Sequence, residues 1–452
     1  MFQDQATPRA AAGPQRGDTR TADSRTPRAY AARLGALALA GLAGLAALAA
    51  LAAHAQDAAP LTLAEAQRIA TGRSAQVASQ RSMAEAAREM AGPAAELPDP
   101  QLIVGLENVP TGGPDRWSLT KDGMTMTRVG IMQEFPRAEK RELRAERARR
   151  DAARGDVAAE AALLAVSRET ATAWLLLHFA RRAERAIAAQ IAEAELQLAM
   201  AEATYRGGRG GAGEALAARA ALLELRNKAL EAELASERAR LSLARYVGAA
   251  AAERPQGELP DIARLPRDAG ALVDVAAQPE VRLVEAQAAV LDAESELARA
   301  GRLPDWSAEL SYGIRGSDYS NMVTLMVRVD LPWSPGTRQD REYAAKLKER
   351  DAAREMREDA RRMREAETRQ MLAEWTASQA QAVRIRDEMI PLARARTAAA
   401  LAAYRGGAAS LAAVLDSRRA ELDAELALVA MEQAAARAGA WLANTVHIAG
   451  QS

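Results

Sequence analysis

Apolar and polar residues alternate strictly in four short segments of this chain. In 306–314, Trp306, Ala308, Leu310, Tyr312 and Ile314 share one face, and Ser307, Glu309, Ser311 and Gly313 share the other. In 323–331, Val323, Leu325, Val327, Val329 and Leu331 face one way; Met322, Thr324, Met326, Arg328 and Asp330 face the other. The same parity occurs earlier, with Leu102, Val104 and Leu106 on one segment and Val129, Ile131 and Phe135 on the next. Period two with a single apolar face predicts β-strands. The segments that follow each pair are helical and very long. Ala138 to Tyr205 contains no Pro and one Gly, Gly155, and Arg338 to Tyr404 contains one breaker, Pro391. At about 1.5 Å per residue, each such helix reaches about 100 Å. A helix of that length needs partners along it. After a Gly-containing turn, each is followed by a second helical segment, 213–247 and 410–447. The expectation is an antiparallel hairpin of coiled-coil type, with Ala inside and Arg and Glu on wet faces.

The pattern is written twice. ELPDPQLIVGLENVP at 96–110 corresponds to RLPDWSAELSYGIRG at 302–316, MTRVGIMQEFPR at 126–137 to MVTLMVRVDLPW at 322–333, and TYRGG at 204–208 to AYRGG at 403–407. The offsets are 206, 196 and 199 residues, so order is kept with small loop changes. Each copy reads helix, two strands, long helix, Gly turn, helix. We expect a first repeat over 56–247, a connecting segment over 248–270 with Pro255, Pro260 and Pro266, and a second repeat over 271–452. Four strands cannot close a barrel by themselves, because about eight are the usual minimum. They can pack as an ordinary sheet against the helices, or several chains can pool strands. A membrane barrel needs strands of about 9–11 residues, apolar outside and polar inside, with aromatics near the interfaces. These segments have that pattern, and Trp117, Trp306, Tyr319 and Trp333 lie at or near their ends.

The N-terminal segment changes the compartment. Leu34 to Ala53 is a run of Leu, Ala and Gly, preceded by Arg20, Arg25, Arg28 and Arg33 and followed by Ala53-His54-Ala55. Basic region, apolar run and A-x-A site read as a secretory signal over residues 1–55, with an extended basic region, cleaved before Gln56. The run is also long enough for a membrane anchor, which is the alternative. The whole chain carries 60 Lys+Arg against 60 Asp+Glu, but six Arg and three Asp lie in the signal. The mature chain is then slightly acidic, which argues against a nucleic-acid binder. With no Cys in the sequence, disulfides, thiolate metal sites and a Cys-linked lipid anchor are excluded. There is no P-loop, no G-x-S-x-G and no H-E-x-x-H, and GGRGGAG at 207–213 joins helix to helix rather than strand to helix. No enzyme and no cofactor are expected.

Duplicated halves, each a strand pair followed by a long helix and a Gly-turn hairpin, resemble the TolC family of outer-membrane efflux channels. The resemblance covers the chain from Leu61 to about Ile448. LPDPQLIVGLENVP followed by MTMTRVGIMQEFP is more narrowly similar to the heavy-metal (CzcC/CusC-like) branch. The resemblance implies a mainly α chain with a small antiparallel β part. It also implies a homotrimer with a 12-stranded barrel in outer-membrane lipid and a periplasmic α-helical barrel. The implied partners are a periplasmic adaptor and an inner-membrane RND pump that supplies the energy for heavy-metal cation efflux. It places Tyr205, Gly208, Tyr404 and Gly407 at the periplasmic tip where the adaptor docks, and Glu214 and Asp416 at the gated aperture. Three copies of Asp416 around an axis form a carboxylate ring that attracts cations. Ala409 and Ala413 replace an Arg and an Asp of the best-known member's latch, so that latch is not expected here.

Each of these residues also has a plain structural reading. The turns need Gly because a reversal between long helices requires φ > 0, and Glu214 and Asp416 also read as solvated helix charges. The polar strand face offers Met126, Met132, Met322, Met326 and Arg328 as lumen candidates. Thioethers bind soft ions, but Met is more commonly a flexible filler, and no Cys or His accompanies these. His178, in AWLLLHFA, is expected to be a packed or rim histidine, and His447 is expected to have no role. Three other functions compete: an exit channel for organic compounds or type I secretion, a periplasmic adaptor, and a structural coiled-coil envelope protein. An adaptor needs one hairpin flanked by lipoyl-like β segments, and a structural coiled coil needs no apolar-out strands.

Overall fold

The computed structural model describes residues 59–208, 210–260 and 275–446. The expected signal at 1–55, residues 261–270 of the connecting segment and His447 lie outside the described residues. The first copy contains α1 (Leu63–Arg73), α2 (Ala75–Ala91), β1 (Gln101–Glu107), β2 (Met126–Phe135), α3 (Ala138–Arg206) and α4 (Ala212–Val247). The second contains α5 (Pro279–Ala300), β3 (Trp306–Arg315), β4 (Met322–Val329), α6 (Gln339–Arg384), α7 (Ile390–Arg405) and α8 (Leu411–Val446). Where one helix leads into the strands in the second copy, the first has two. Ser74 sits extended between them, and its hydroxyl accepts from the Val77 amide at 3.2 Å, starting α2 afresh.

The four strands form one antiparallel sheet in the order β1-β2-β3-β4. The central pair joins the two copies, with Val129 opposite Tyr312 and Ile131 opposite Leu310. Among the described residues, β1 and β4 are free edges. β4 ends at Val329, short of the expected Leu331, where Pro332 removes a backbone donor.

The long helix of the first copy is continuous over 69 residues. That of the second is not. α6 and α7 are separated by a π-helical turn, Ile385–Met389, and Pro391 is the second residue of α7. Proline lacks the N–H and its ring clashes with the carbonyl of the preceding turn; one wide turn moves that carbonyl away without ending the helix.

Gly155 lets α2 approach α3. A Cβ built there lies 2.8 Å from the Ala84 Cα, a distance that requires backbone to move. The largest buried cluster surrounds the middle of α3, where Trp174, Leu175, Leu177 and Phe179 meet Ala239 and Leu243 of α4 and Ala436 and Ala440 of α8. Chain from both sides of the first copy closes over it. The Trp174 indole N–H donates to the Leu61 carbonyl at 2.9 Å, and the Gln256 amide donates to the Trp174 carbonyl at 2.9 Å. Leu61 itself bridges in parallel to Gln256. Beside this core, Arg168 of α3 donates to Glu280 of α5 at 2.5 Å, and Arg364 of α6 forms an ion pair with the same carboxylate at 3.2 Å. Both guanidinium groups also lie over the Trp441 ring of α8. Burial disfavours the Arg168 charge, and Glu280 opposes that effect.

Candidate channel surfaces and hairpin turns

The two faces of the sheet differ in chemistry and in cover. Leu102, Val104, Leu106, Val129, Ile131, Leu310, Tyr312, Ile314, Val323, Leu325, Val327 and Val329 are all exposed on one face, with Leu325 reaching 72%. The cross-strand pairs Leu102–Ile131, Val104–Val129, Leu310–Leu325 and Tyr312–Val323 make this one continuous patch. An apolar patch this large on a single chain marks a surface meant for lipid or protein. Aromatic rings lie toward both ends of the strands. Phe135 stacks on Trp306 at 4.3 Å beside the helices, near Trp333, while Trp117 and Tyr319 lie in the opposite loops.

The other face is polar and partly filled. Arg128 stands between Gly105 and Gly313 as its cross-strand partners, which leaves room for its side chain to lie across the sheet. It donates to Ser311 at 2.9 Å and forms ion pairs with Glu107 and Glu309. Glu309 is buried, so its ion pair with Arg128 satisfies a carboxylate that is costly to leave alone. Sequence reading missed this trio. Its signal was the flanking glycines, which mean something only once register is known. Met126, Met132, Met322, Met326 and Arg328 all fall on this polar face. Arg328 places its guanidinium 3.6 Å from the Met132 sulfur and 3.9 Å from the Met326 sulfur. Two of the four thioethers thus sit against a cation, which disfavours a soft metal ion at the same place. Among the described residues no group of three or more His, Asp or Glu is arranged to hold a metal ion.

The two Gly turns are closely alike in backbone. Gly208 has φ +71° and Gly407 φ +72°, and their amides donate to the Tyr205 and Tyr404 carbonyls, each at 3.0 Å. The tyrosines are not alike. Tyr205 is half-exposed, whereas Tyr404 packs on the cluster of Ala201, Ala218, Leu411 and Val414 that joins the two hairpins. Burial, and then the nearby Glu214 carboxylate, raise the Tyr404 phenol above its ordinary pKa. Glu214 is partly buried and Asp416 is exposed; neither forms an ion pair within the described chain.

Asp416 lies on a groove of about 360 Å³ floored by Ala194, Ala217, Ala220 and Ala221, between α3, α4 and α8. Ion pairs close the groove's sides: Arg418–Glu193 at 3.2 Å, Arg419–Glu224 at 2.8 Å and Lys228–Asp423 at 3.5 Å. His178 is a rim residue, stacked on Trp174 and edge-on to Phe179. No helix among the described residues is long and apolar enough to cross a membrane.

No protein-family model matches the sequence, and no curated protein does. Solved structures do match. VceC, an outer-membrane protein of Vibrio cholerae, is 18% identical, with 86% of this chain and 96% of that chain covered and a TM-score of 0.72. The outer-membrane channel OprN is 18% identical over 85% of this chain and 89% of that one, with a TM-score of 0.72. CusC, a transmembrane channel, is 14% identical over 86% and 92%, with a TM-score of 0.66. The order of elements, the joined four-stranded sheet and the paired long hairpins therefore give this chain the fold of the TolC-type outer-membrane channels.

Proposed function

We propose that this protein is the outer-membrane exit duct of a tripartite efflux system: a passive homotrimer, not an enzyme, whose helical part stands in the periplasm. The observation that carries the proposal is the sheet. Among the described residues it has no strand partner beyond β1 and β4, an apolar face that nothing covers, and a polar face in which Arg128 is neutralised. Three copies joined β4 to β1 make a 12-stranded barrel with the apolar face toward lipid. A second surface supports self-association. Leu216, Leu223, Leu230, Leu234 and Leu241 form an exposed seam on α4, and Met356, Met363, Val383 and Leu392 are exposed along the α6–α7 helix. Steps of seven and four residues are those of a coiled-coil contact.

Within this reading, the first repeat (56–247) and the second (271–452) each supply one strand pair and one hairpin. Tyr205, Gly208, Tyr404 and Gly407 form the tip that meets a periplasmic adaptor and, through it, an inner-membrane RND pump. Glu214 and Asp416 line the aperture. Heavy-metal cations are the proposed cargo, supported by the sequence likeness of the 97–110 and 124–136 segments and by the likeness in fold to CusC. Organic-compound export or type I secretion is the alternative. The expected result on fractionation is a heat-modifiable trimer in the outer membrane; recovery as a soluble periplasmic monomer overturns the proposal. Asp416→Ala is expected to weaken block by divalent cations in planar bilayers, and unchanged block removes Asp416 from the aperture.

A further inference from the structure

The loop between β1 and β2, residues 108–125, is long for a hairpin connection, yet it is ordered by its own contacts. The Trp117 amide donates to the Pro110 carbonyl at 2.8 Å, Ser118 accepts from the Lys121 amide at 3.0 Å, and Asp122 accepts from the Met124 amide at 2.7 Å. Asn108 and Trp117 hold positive φ, +56° and +60°. Such conformations are costly for non-glycine residues and persist where the surroundings impose them.

The same loop is riveted to the loop of the other copy. Arg315, the last residue of β3, donates to the Gly123 carbonyl and to the Ser320 carbonyl, and lies over the Tyr319 ring. Tyr319 fits against Gly123 so closely that a Cβ there would stand 2.9 Å from the ring. A Cβ at Gly316 would stand 2.2 Å from the Thr120 carbonyl oxygen. Asn321 holds the second loop by accepting from the Arg315 amide at 3.1 Å and donating to the Tyr312 hydroxyl at 2.7 Å.

The direction of this rivet follows from strand parity. Arg315 is in register with Met126 and shares the polar face with Glu309, Ser311 and Gly313. The segment it grips is therefore drawn toward the polar side of the sheet rather than the apolar one. We propose that Ser118–Met124 leans over the outer mouth of the barrel and sets its size limit, and that Arg315 is the positioning residue that holds it there. This rests on the trimeric duct proposed above. Three copies of the segment narrow the mouth to small solutes, and loss of one charge-assisted hydrogen bond per chain shifts the segment toward an open arrangement.

The chain has no cysteine, so a single introduced thiol reports without background. Thr324→Cys places one on the polar face of β4, opposite Ser311 and below the loops. Cells carrying this variant are treated from outside with a small charged thiol reagent or with a bulky polymer-linked maleimide. The small reagent is expected to label the thiol readily. The bulky one is expected to label it slowly, and about tenfold faster when Arg315→Ala is added, the scale of one charge-assisted hydrogen bond. Replacing Ser118–Gly123 by a two-residue turn, which does not depend on Arg315, is expected to accelerate it at least as much. Equal bulky-reagent rates in all three proteins, each first shown to run as a heat-modifiable trimer, overturn the inference. Failure of the small reagent to reach the thiol in the folded trimer instead overturns the duct reading beneath it, and the inference with it.

Discussion

The imidazole of His178 lies 5.4 Å from the Trp174 ring and 5.3 Å from that of Phe179. Burial first, and Arg185 and Arg182 after it, hold its pKa below the ordinary value. The unfolded chain takes up this proton near the ordinary value of about 6.5, and the folded chain resists it until lower pH. Stability is therefore lost as pH falls below the unfolded value toward the folded one. His178→Phe is expected to lose less thermal stability than wild type between about pH 7 and pH 5; parallel losses in both proteins exclude this histidine. The apolar stretch AWLLLHFA left a packed or a rim histidine open, and Arg182 and Arg185 follow on the same helix at steps of four and seven. Tyr404 was not legible in the same way. It and Tyr205 sit in matching turns, and only the packing of α8 on the first hairpin partly buries one and leaves the other out.

At the scale of elements, helix length was readable wherever the local rule is strong. A run without Pro gave one helix of 69 residues, and a single Gly in it marks where α2 crosses. Pro391 was readable as a breaker but not as a π turn, because the outcome depends on whether neighbouring helices hold the axis while the turn widens. One ion-pair cluster between elements has no signal in the sequence. Arg168, Arg364, Glu280 and Trp441 come from four helices and join the two copies, and none of them stands out among the many charged residues of this chain. The two arginines and Glu280 are largely buried, so Glu280→Gln leaves two guanidinium groups without their shared carboxylate. The expected cost is about 2 kcal/mol, as for charged hydrogen bonds broken inside a protein. Chemical denaturation in detergent checks it, and a midpoint within error of wild type argues that water already solvates the cluster.

For the whole molecule, the informative feature is surface that one chain leaves uncovered. Among the described residues, the sheet exposes its apolar face, α4 exposes a leucine seam, and both strand edges are unpaired. If lipid covers the sheet face, a charge at its centre is costly. Leu325→Arg, at mid-strand in β4, is expected to destabilise the inserted protein by about 2–4 kcal/mol and to reduce heat-modifiable trimer in outer-membrane fractions. The same change on the polar face, Thr324→Arg, is the comparison. Equal trimer yields from the two variants place the apolar face against protein or water instead of lipid.

The sequence by itself determined what depends on near neighbours along the chain. Period-two alternation decides a strand and its two faces, a breaker-free run decides a long helix, and a required positive φ decides where Gly turns lie. The duplication was visible for the same reason, since each copy repeats those local signals. Only the tertiary structure decided what depends on residues far apart in sequence. Arg128 finds Glu309, Trp174 finds Leu61, and Arg315 reaches Gly123 across the two loops. Such pairings follow from strand register and helix crossing, where shifting a strand by one residue exchanges its two faces, and no local pattern specifies which of many similar charges will meet.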